Sequence, residues 1–323
     1  MDSSPPAPGP YWRSFDAYLR ERFGAKVRKL PLDAGFSCPN RERGGTGCAF
    51  CDNAAFSPFA ARPGGKPAPL DAQLDEGIAR AARRGARAFM AYFQAFTNTY
   101  APLDALKAAY DCAARRPGVV ALAVGTRPDC AGDDILELLA SYCDRLEVWL
   151  ELGLQSAHDE TLARLNRGHT YAQFLDAVAR CRRFPLKLCV HVILGLPGET
   201  RALGNRTAEE LAALPIHGLK LHPLQILAGT RLAEEHARGA VAPISEDEFA
   251  ARAADFLERT PPGIVIQRLT ADVLGPALIA PSWTRDKQRF LGLIEAELAR
   301  RGTRQGARAP ASPSPCIGPG DSL

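Results

Sequence analysis

The chain has 323 residues, 46% of them hydrophobic and 24% charged, with a net charge of +4. This is a globular composition with enough apolar residues for a large core, and the length suits one α/β barrel of about 200–250 residues with an appendage. So weak a positive charge neither requires nor forbids an anionic partner. No run approaches the ~18 apolar residues needed to cross a bilayer. The opening MDSSPPAPGPYW lacks the basic-then-apolar pattern of a signal peptide. A cytoplasmic location with no membrane partner is expected.

In chain order, residues 1–10 are rich in Pro, Gly, Ser and Ala and read as a disordered tail. Short apolar, β-branched runs then alternate with longer amphipathic ones. Strands are predicted over Val27–Leu32, Ala88–Phe93, Val119–Val124, Leu146–Leu152, Leu186–Leu194 and Leu219–Leu224. Helices are predicted over Leu70–Arg84, Leu103–Arg116, Asp133–Tyr142, Tyr171–Arg183 and Thr207–Leu214. Near-continuous apolar strands alternating with helices imply a parallel sheet covered by helices. Six such units are too few for a closed eight-stranded barrel, so the expected fold is a partial (βα)6 TIM-like barrel over 11–240, with a doubly wound sheet as the competitor.

Beyond it the rhythm breaks. Ser245–Arg259 reads as a helix with Ser245 as N-cap and Glu248 completing a capping box. A strand-like Ile264–Leu269 and a helix Asp286–Arg301 follow, so 241–301 is expected to be a small C-terminal α/β extension. Residues 302–323 read as a second disordered tail. The charges of Arg300, Arg301, Arg304 and Arg308 are read as solvated in preference to a nucleic-acid contact.

Nine cysteines occur, at 38, 48, 51, 112, 130, 143, 181, 189 and 316. Cys112, Cys143, Cys181 and Cys189 fall in apolar periodic segments and are expected in the core. Cys38, Cys48 and Cys51 form a C-x9-C-x2-C array directly after the first predicted strand, at the strand end that carries active sites in α/β barrels. Gly35 before the loop and Gly44, Gly45 and Gly47 within it allow close backbone approach to a bound group and leave N–H groups free. In a reducing compartment such an array suggests metal rather than disulfides. Three thiolates would leave one iron of a four-iron cluster open. Zinc would use the same thiolates with His158 or His169 as a fourth ligand, and spacing alone does not choose between the metals. A thioredoxin-like Cys48–Cys51 pair would leave Cys38 without a role.

Further motifs bear on the choice. GFSCPNR…GCAFC, YFQAFTNTY (92–100), VGTRPDC (124–130), WLELGLQSAHDETLARLNRGHT (149–170), HVILGLPGET (191–200) and KLHPLQILAGT (220–230) follow one another in order. Together they resemble the YhcC-like radical SAM family, over roughly residues 11–300. That family is related to the radical SAM domains of the Elongator catalytic subunit and of oxygen-independent coproporphyrinogen dehydrogenase.

The resemblance implies a partial (βα)6 barrel, a [4Fe–4S] cluster on Cys38, Cys48 and Cys51, and S-adenosylmethionine chelated to the fourth iron. It also implies reductive cleavage of that cofactor to a 5′-deoxyadenosyl radical, and an electron donor such as flavodoxin or ferredoxin. By motif, Phe50 would pack on the adenine, with Ile193 and Leu196 as its apolar wall. Gln94 would meet the methionine amino group, Glu151 the ribose and Gln155 the methionyl portion. Arg167 would pair with the methionine carboxylate, and Thr126, Arg127 and Asp129 would line the cofactor or substrate rim. An acetyltransferase domain like that of the Elongator relative has no counterpart here, so acetyl transfer is not implied.

Plainer readings stand beside these. GLPGET lacks the Gly-Lys-Ser/Thr ending of a phosphate loop, and no GxGxxG follows a strand. Glu151 and Arg127 would otherwise be a buried ion pair closing the barrel mouth. His191 is read as a hydrogen-bonded core histidine, and His222 as either core or substrate-facing. Cys130 near the rim and Cys316 in the tail receive no role, and the sequence names no catalytic residue acting on substrate. The substrate is unknown, with RNA one open class. The alternative from another class is a zinc-binding or RNA-binding barrel without redox chemistry.

Overall fold

The computed structural model describes residues 9–42, 45–52, 67–270 and 275–310. Its helices are α1 (Phe15–Phe23), α2 (Pro39–Glu42), α3 (Leu70–Ala82), α4 (Leu103–Ala114), α5 (Asp133–Ala140), α6 (Asp159–Arg164), α7 (Tyr171–Cys181), α8 (Arg201–Ala212), α9 (Arg231–Ala237), α10 (Glu246–Arg259) and α11 (Lys287–Arg301). Its strands are β1 (Val27–Leu32), β2 (Ala88–Phe93), β3 (Val119–Thr126), β4 (Glu147–Gln155), β5 (Lys187–Leu194), β6 (Gly218–Pro223), β7 (Ile226–Leu227), β8 (Val265–Arg268) and β9 (Leu278–Ala280). β1 to β6 and then β8 form one parallel seven-stranded sheet, curled into a half-barrel, and β7 pairs antiparallel with β9.

The strands need apolar residues on both faces because both are covered, and β2 and β4 are buried along their whole length. Outward residues such as Leu30, Phe93, Leu122, Leu150, Val190 and Leu221 pack in one core with the helices. Inward residues near the N-terminal ends of the strands, including Met90, Ala121, Ala123, Trp149 and Val265, form a second core with Phe15, Tyr18 and Leu19 of α1. Trp149 meets the rings of Phe15 (5.5 Å) and Tyr18 (5.8 Å) edge-on. Its Nε1 donates to Glu147 Oε1 at 2.7 Å, and Tyr18 Oη donates to Glu147 Oε2 at 2.7 Å. Gly218 makes this possible, because a Cβ there would lie 2.8 Å from the indole. Helix α1 therefore plugs one end of the barrel, its three buried side chains contributing about 1.5–3 kcal/mol each. It also spans the gap between the sheet edges: it packs on β1 and β8, Ser14 bridges Ile266, and Ile266 N–H donates to Arg13 O at 2.8 Å.

Four differences from the sequence reading bear on the frame. The strand assigned to the extension, β8, is a seventh parallel strand of the main sheet, because its apolar Val265 and Ile266 complete both cores. Helix α8 starts at Arg201 rather than Thr207, with Thr200 capping the Leu203 N–H; the polar run Arg201–Arg206 hides its start from hydrophobic periodicity. Ser245 caps α10 as expected, but the Glu248 carboxylate turns to Arg252 (2.7 Å); a capping box forms instead between Thr170 and Gln173 on α7.

The fourth difference is residues 302–310, which are ordered against the barrel rather than a loose tail. Gln305 is buried and donates to Pro261 O and Ile264 O, both at 2.8 Å, while its Oε1 accepts from Arg13 N–H at 2.8 Å. Three of the four C-terminal arginines are likewise paired within the chain, Arg300 to Glu297 (2.8 Å), Arg301 to Asp255 (2.7 Å) and Arg308 to Glu258 (3.0 Å). Gly44, Cys316 and residues 1–8 and 311–323 lie outside the described residues.

Candidate active site

The rim at the C-terminal ends of the strands is built around the loop after β1. Cys38, Cys48 and Cys51 are all free thiols and all line one cavity of ≈150 Å³. Helix α2 turns the chain between the first two, and Gly47, at φ +79°, brings its backbone against the Arg41 guanidinium. The segment is pinned from the side. Ala49 N–H donates to Leu165 O (2.9 Å), Asn166 Nδ2 to Gly47 O (2.8 Å), and Asn40 Nδ2 to the carbonyls of Asn166 (2.7 Å) and Arg167 (3.0 Å). Gly168 must be glycine for this approach: its φ is +68° and a Cβ would lie 2.3 Å from Asn40 Oδ1.

Cations surround the sulfurs. Arg167 Nη1 donates to Cys48 Sγ at 3.1 Å and Arg41 Nη2 to Cys51 O at 2.9 Å. Burial and the neighbouring Cys48 push the Cys51 thiol up to about 11, against the pull of Arg41 and Arg167. Arg167 is itself buried; Nη2 donates to Gly153 O at 2.6 Å, while Nε has no partner among the described residues.

Opposite the cysteines, a bulge after Gly153 in β4 aims Gln155 into the cavity. Gln155 holds φ +76°, a left-handed conformation costing about 1–3 kcal/mol for a side-chain-bearing residue, of the kind concentrated at functional sites. Gln94 stands at the end of β2 and, like Gln155, lines both this cavity and a second of ≈190 Å³ beside it.

The remaining sequence candidates divide. Thr126 lines the first cavity and shares a 2.5 Å hydroxyl contact with Thr99. Arg127 lines it too, yet its guanidinium is engaged: bidentate to Asp129 (2.9 and 2.8 Å), and donating to the carbonyls of Arg167 (2.6 Å) and Gly168 (3.0 Å). It holds the Arg167 loop in place. The Glu151–Arg127 pair does not exist. Glu151 is at the barrel axis, where Oε2 accepts from Lys220 Nζ and His191 Nε2 (2.8 Å), and Oε1 is 3.4 Å from Lys29 Nζ. Burial opposes its ionisation, but Lys220 and Lys29 hold it well below the usual carboxylate range.

Phe50 and Ile193 line the second cavity, while Leu196 is buried behind them in the same apolar cluster. His191 does hydrogen-bond in the interior but also faces both cavities, and His222 faces the second, its ring 5.6 Å from His191. His158 bonds Leu203 O (2.9 Å) and His169 lies 3.3 Å from Gly153 O; neither lines a described cavity. Among the described residues no group of three or more His, Cys, Asp or Glu is arranged around a single metal ion. Cys181 and Cys189 are buried as expected, whereas Cys112 and Cys143 are half-buried.

Sequence reading missed Tyr92, Lys29, Lys220 and Arg268. The available signal was a charged residue at an inward position of an otherwise apolar strand, as in Leu219-Lys-Leu221, where Lys220 is 1% exposed. No helix among the described residues is long and apolar enough to cross a membrane.

Comparison with known proteins agrees with this architecture. The family profile of the Radical SAM superfamily matches residues 37–211, and that of the Radical SAM C-terminal domain matches 216–300. The chain is 39% identical over 288 residues to Protein YhcC of Escherichia coli K12, covering 88% of this chain and 90% of that one. It is 28% identical over 174 residues to the tRNA uridine(34) acetyltransferase of Dehalococcoides mccartyi, 53% of this chain and 37% of that one. Among solved structures, Methanocaldococcus infernus Elp3 with an N-terminal deletion matches with a TM-score of 0.66, over 86% of this chain and 64% of that one; at 17% identity the likeness is one of fold. Members of the superfamily use a [4Fe–4S] cluster and S-adenosylmethionine, with a reductant as the further partner. The sequence and the half-barrel together place this enzyme in the radical SAM superfamily, within its YhcC-like family.

Proposed function

We propose that this protein cleaves S-adenosylmethionine reductively at a [4Fe–4S] cluster held by Cys38, Cys48 and Cys51, and applies the resulting radical to a substrate bound in the adjoining cavity. The observation carrying this reading is the convergence of three free thiols on one rim cavity with a buried, partly unpartnered Arg167. The donor set fits: three thiolates satisfy three irons of a cubane and leave the fourth for the cofactor. When bound, the reduced cluster supplies the electron that breaks the sulfur–C5′ bond.

This chain's own residues bind and orient. Arg167 neutralises thiolate charge at Cys48 and presents a guanidinium edge suited to a carboxylate. Arg127 fixes the Arg167 loop through two carbonyls. Gln94 and Gln155 offer amides where the two cavities meet. Phe50 and Ile193 form an apolar wall suited to a purine and exclude water from it. Glu151 is engaged by three cationic or polar partners, so it orients the interior rather than a ribose.

Anaerobically reconstituted protein should be brown and, with a strong reductant, should form 5′-deoxyadenosine. Replacing any of Cys38, Cys48 or Cys51 by Ala should abolish that product; undiminished product overturns the ligand assignment. A flavodoxin- or ferredoxin-type protein is the proposed electron donor, checked by replacing the chemical reductant with it. The likeness to a tRNA uridine(34) acetyltransferase favours an RNA substrate. Modified-nucleoside profiling of a deletion strain tests that: a missing or altered nucleoside supports RNA, and an unchanged profile removes it.

A further inference from the structure

The second cavity has a charge imbalance that the cofactor reading does not use. Register places His191, Lys220 and Arg268 side by side across β5, β6 and β8, and all three line it, with His222 one step nearer the rim. Around the barrel axis Lys29 and Lys220 face one carboxylate, Glu151, and Arg268 adds a third positive charge beside Lys220. The two lysines share that carboxylate and rest on the Tyr92 ring, with Nζ 4.8 and 4.4 Å from its centroid. Arg268, half-buried, makes no hydrogen bond and no ion pair among the described residues. A guanidinium facing a cavity and bonded to no acceptor among the described residues is a fork of donors suited to an oxyanion.

We infer that this cavity is the substrate's oxyanion subsite, seating a carboxylate or phosphate group against Arg268 with the Lys220 ammonium as second contact. This rests on the radical SAM reading and deepens it, since it names what the substrate must carry. The cofactor's own carboxylate has a nearer cation in Arg167, beside Cys48 and lining only the first cavity. A cavity of ≈190 Å³ takes a small anionic group with its attachment, and the apolar side at Pro223 and Leu224 takes the rest. The imidazoles beside it are neutral: burial and Lys220 pull His191 down to about 4, and burial and His191 hold His222 well below its usual value. They can donate hydrogen bonds without adding charge. Burial and the charges of Lys29 and Arg268 lower Lys220 to about 7, against the pull of Glu151, and an incoming oxyanion would hold its proton.

The test uses reconstituted holoenzyme saturated with S-adenosylmethionine, and measures the thermal midpoint against sodium acetate and inorganic phosphate at constant ionic strength. A saturable rise is expected with at least one of them, the tighter anion identifying carboxylate or phosphate as the source. In Arg268→Gln the apparent Kd should rise at least tenfold, and Arg268→Lys should restore part of it; the lysine variant also serves if the glutamine variant is recovered poorly. No saturable rise with either anion, an equal rise in Arg268→Gln, or binding that S-adenosylmethionine abolishes would each overturn the inference. 5′-Deoxyadenosine formation is followed on the same preparation. Product without anion binding sinks the subsite alone, and anion binding without product sinks the catalytic reading alone.

Discussion

Glu151 inside the barrel and Asp255 with Glu258 and Glu297 outside it are carboxylates surrounded by cations, yet the two groups differ in how their charges balance. Outside, Asp255 meets Arg201 (2.8 Å) and Arg301 (2.7 Å), Glu258 meets Arg301 (3.3 Å) and Arg308 (3.0 Å), and Glu297 meets Arg300 (2.8 Å) and Arg301 (2.7 Å). Those pairs tie α8, α10, α11 and residues 302–310 together, and several of the arginines reach water. Inside, one carboxylate serves two buried or half-buried lysines beside an arginine that has no ion pair among the described residues, and the surplus faces a cavity. Outside, every one of these arginines has a carboxylate partner, and charges so paired hold elements in place. Unmatched charges in an enclosed space have a cost that a ligand can relieve.

The comparison breaks first at Glu151. Glu151→Gln should lower unfolding stability by about 3–5 kcal/mol, because it strands two ammonium groups in low dielectric. Urea unfolding measures it, and a loss under about 1 kcal/mol would mean the interior charges are solvated after all. Next comes the rim: a Cβ at Gly153 would lie 2.9 Å from Gln155 Nε2 and 3.2 Å from Arg167 Nη2. Gly153→Ala should cut 5′-deoxyadenosine formation about 100-fold by displacing both side chains. Rates unchanged with a shifted melting midpoint would assign those contacts to stability alone.

On the outer side, Arg301→Met should cost about 2 kcal/mol, less than Glu151→Gln because the network is partly solvated and retains Arg201 and Arg308. The smallest effect is on acid stability. Asp255 is lowered by Arg201 and Arg301 despite its burial, and Glu297, held first by Arg300, is lowered to about 2. The folded state therefore binds fewer protons than the unfolded state between about pH 4 and pH 2. The contribution of these groups is complete above that window and lost as pH falls through it. Arg301→Met should flatten this part of the stability–pH curve; an unchanged slope would show that Arg301 is not its source.

Much of the frame was legible in the sequence, because apolar runs flanked by turns report parallel strands directly. Val27–Leu32 and Ala88–Phe93 are strands with those limits. The address of the cysteines, Gln155 and Arg167 followed from the same pattern, since the loops after strands share one rim. Helix α1 was not legible: FDAYLRERF is only nine residues long, and the target of its apolar residues is the far end of the barrel rather than a neighbouring element. Residues 302–310 gave no signal either, since a glutamine amide and not an apolar stripe anchors them. Glu151 was read as a partner of Arg127, whereas its strongest partner is 69 residues further along the chain in Lys220. Periodicity locates a charged residue but does not say which other strand it will face.

The strap formed by α1 across the edges of the half-barrel has a consequence for how the protein is made. Helix α1 and the residues leading into it leave the ribosome well before their partners Ile266 and Gln305. Throughout synthesis the strands β1 to β6 can pair in order while both edges stay open, because the strap cannot close until β8 has emerged. An unclosed sheet edge is a template for pairing with other chains. The docking of this strap on β8 is therefore the step until which nascent protein is exposed to aggregation. A fused tag or truncation that delays it should lower yield before it touches the chemistry at the opposite end of the barrel.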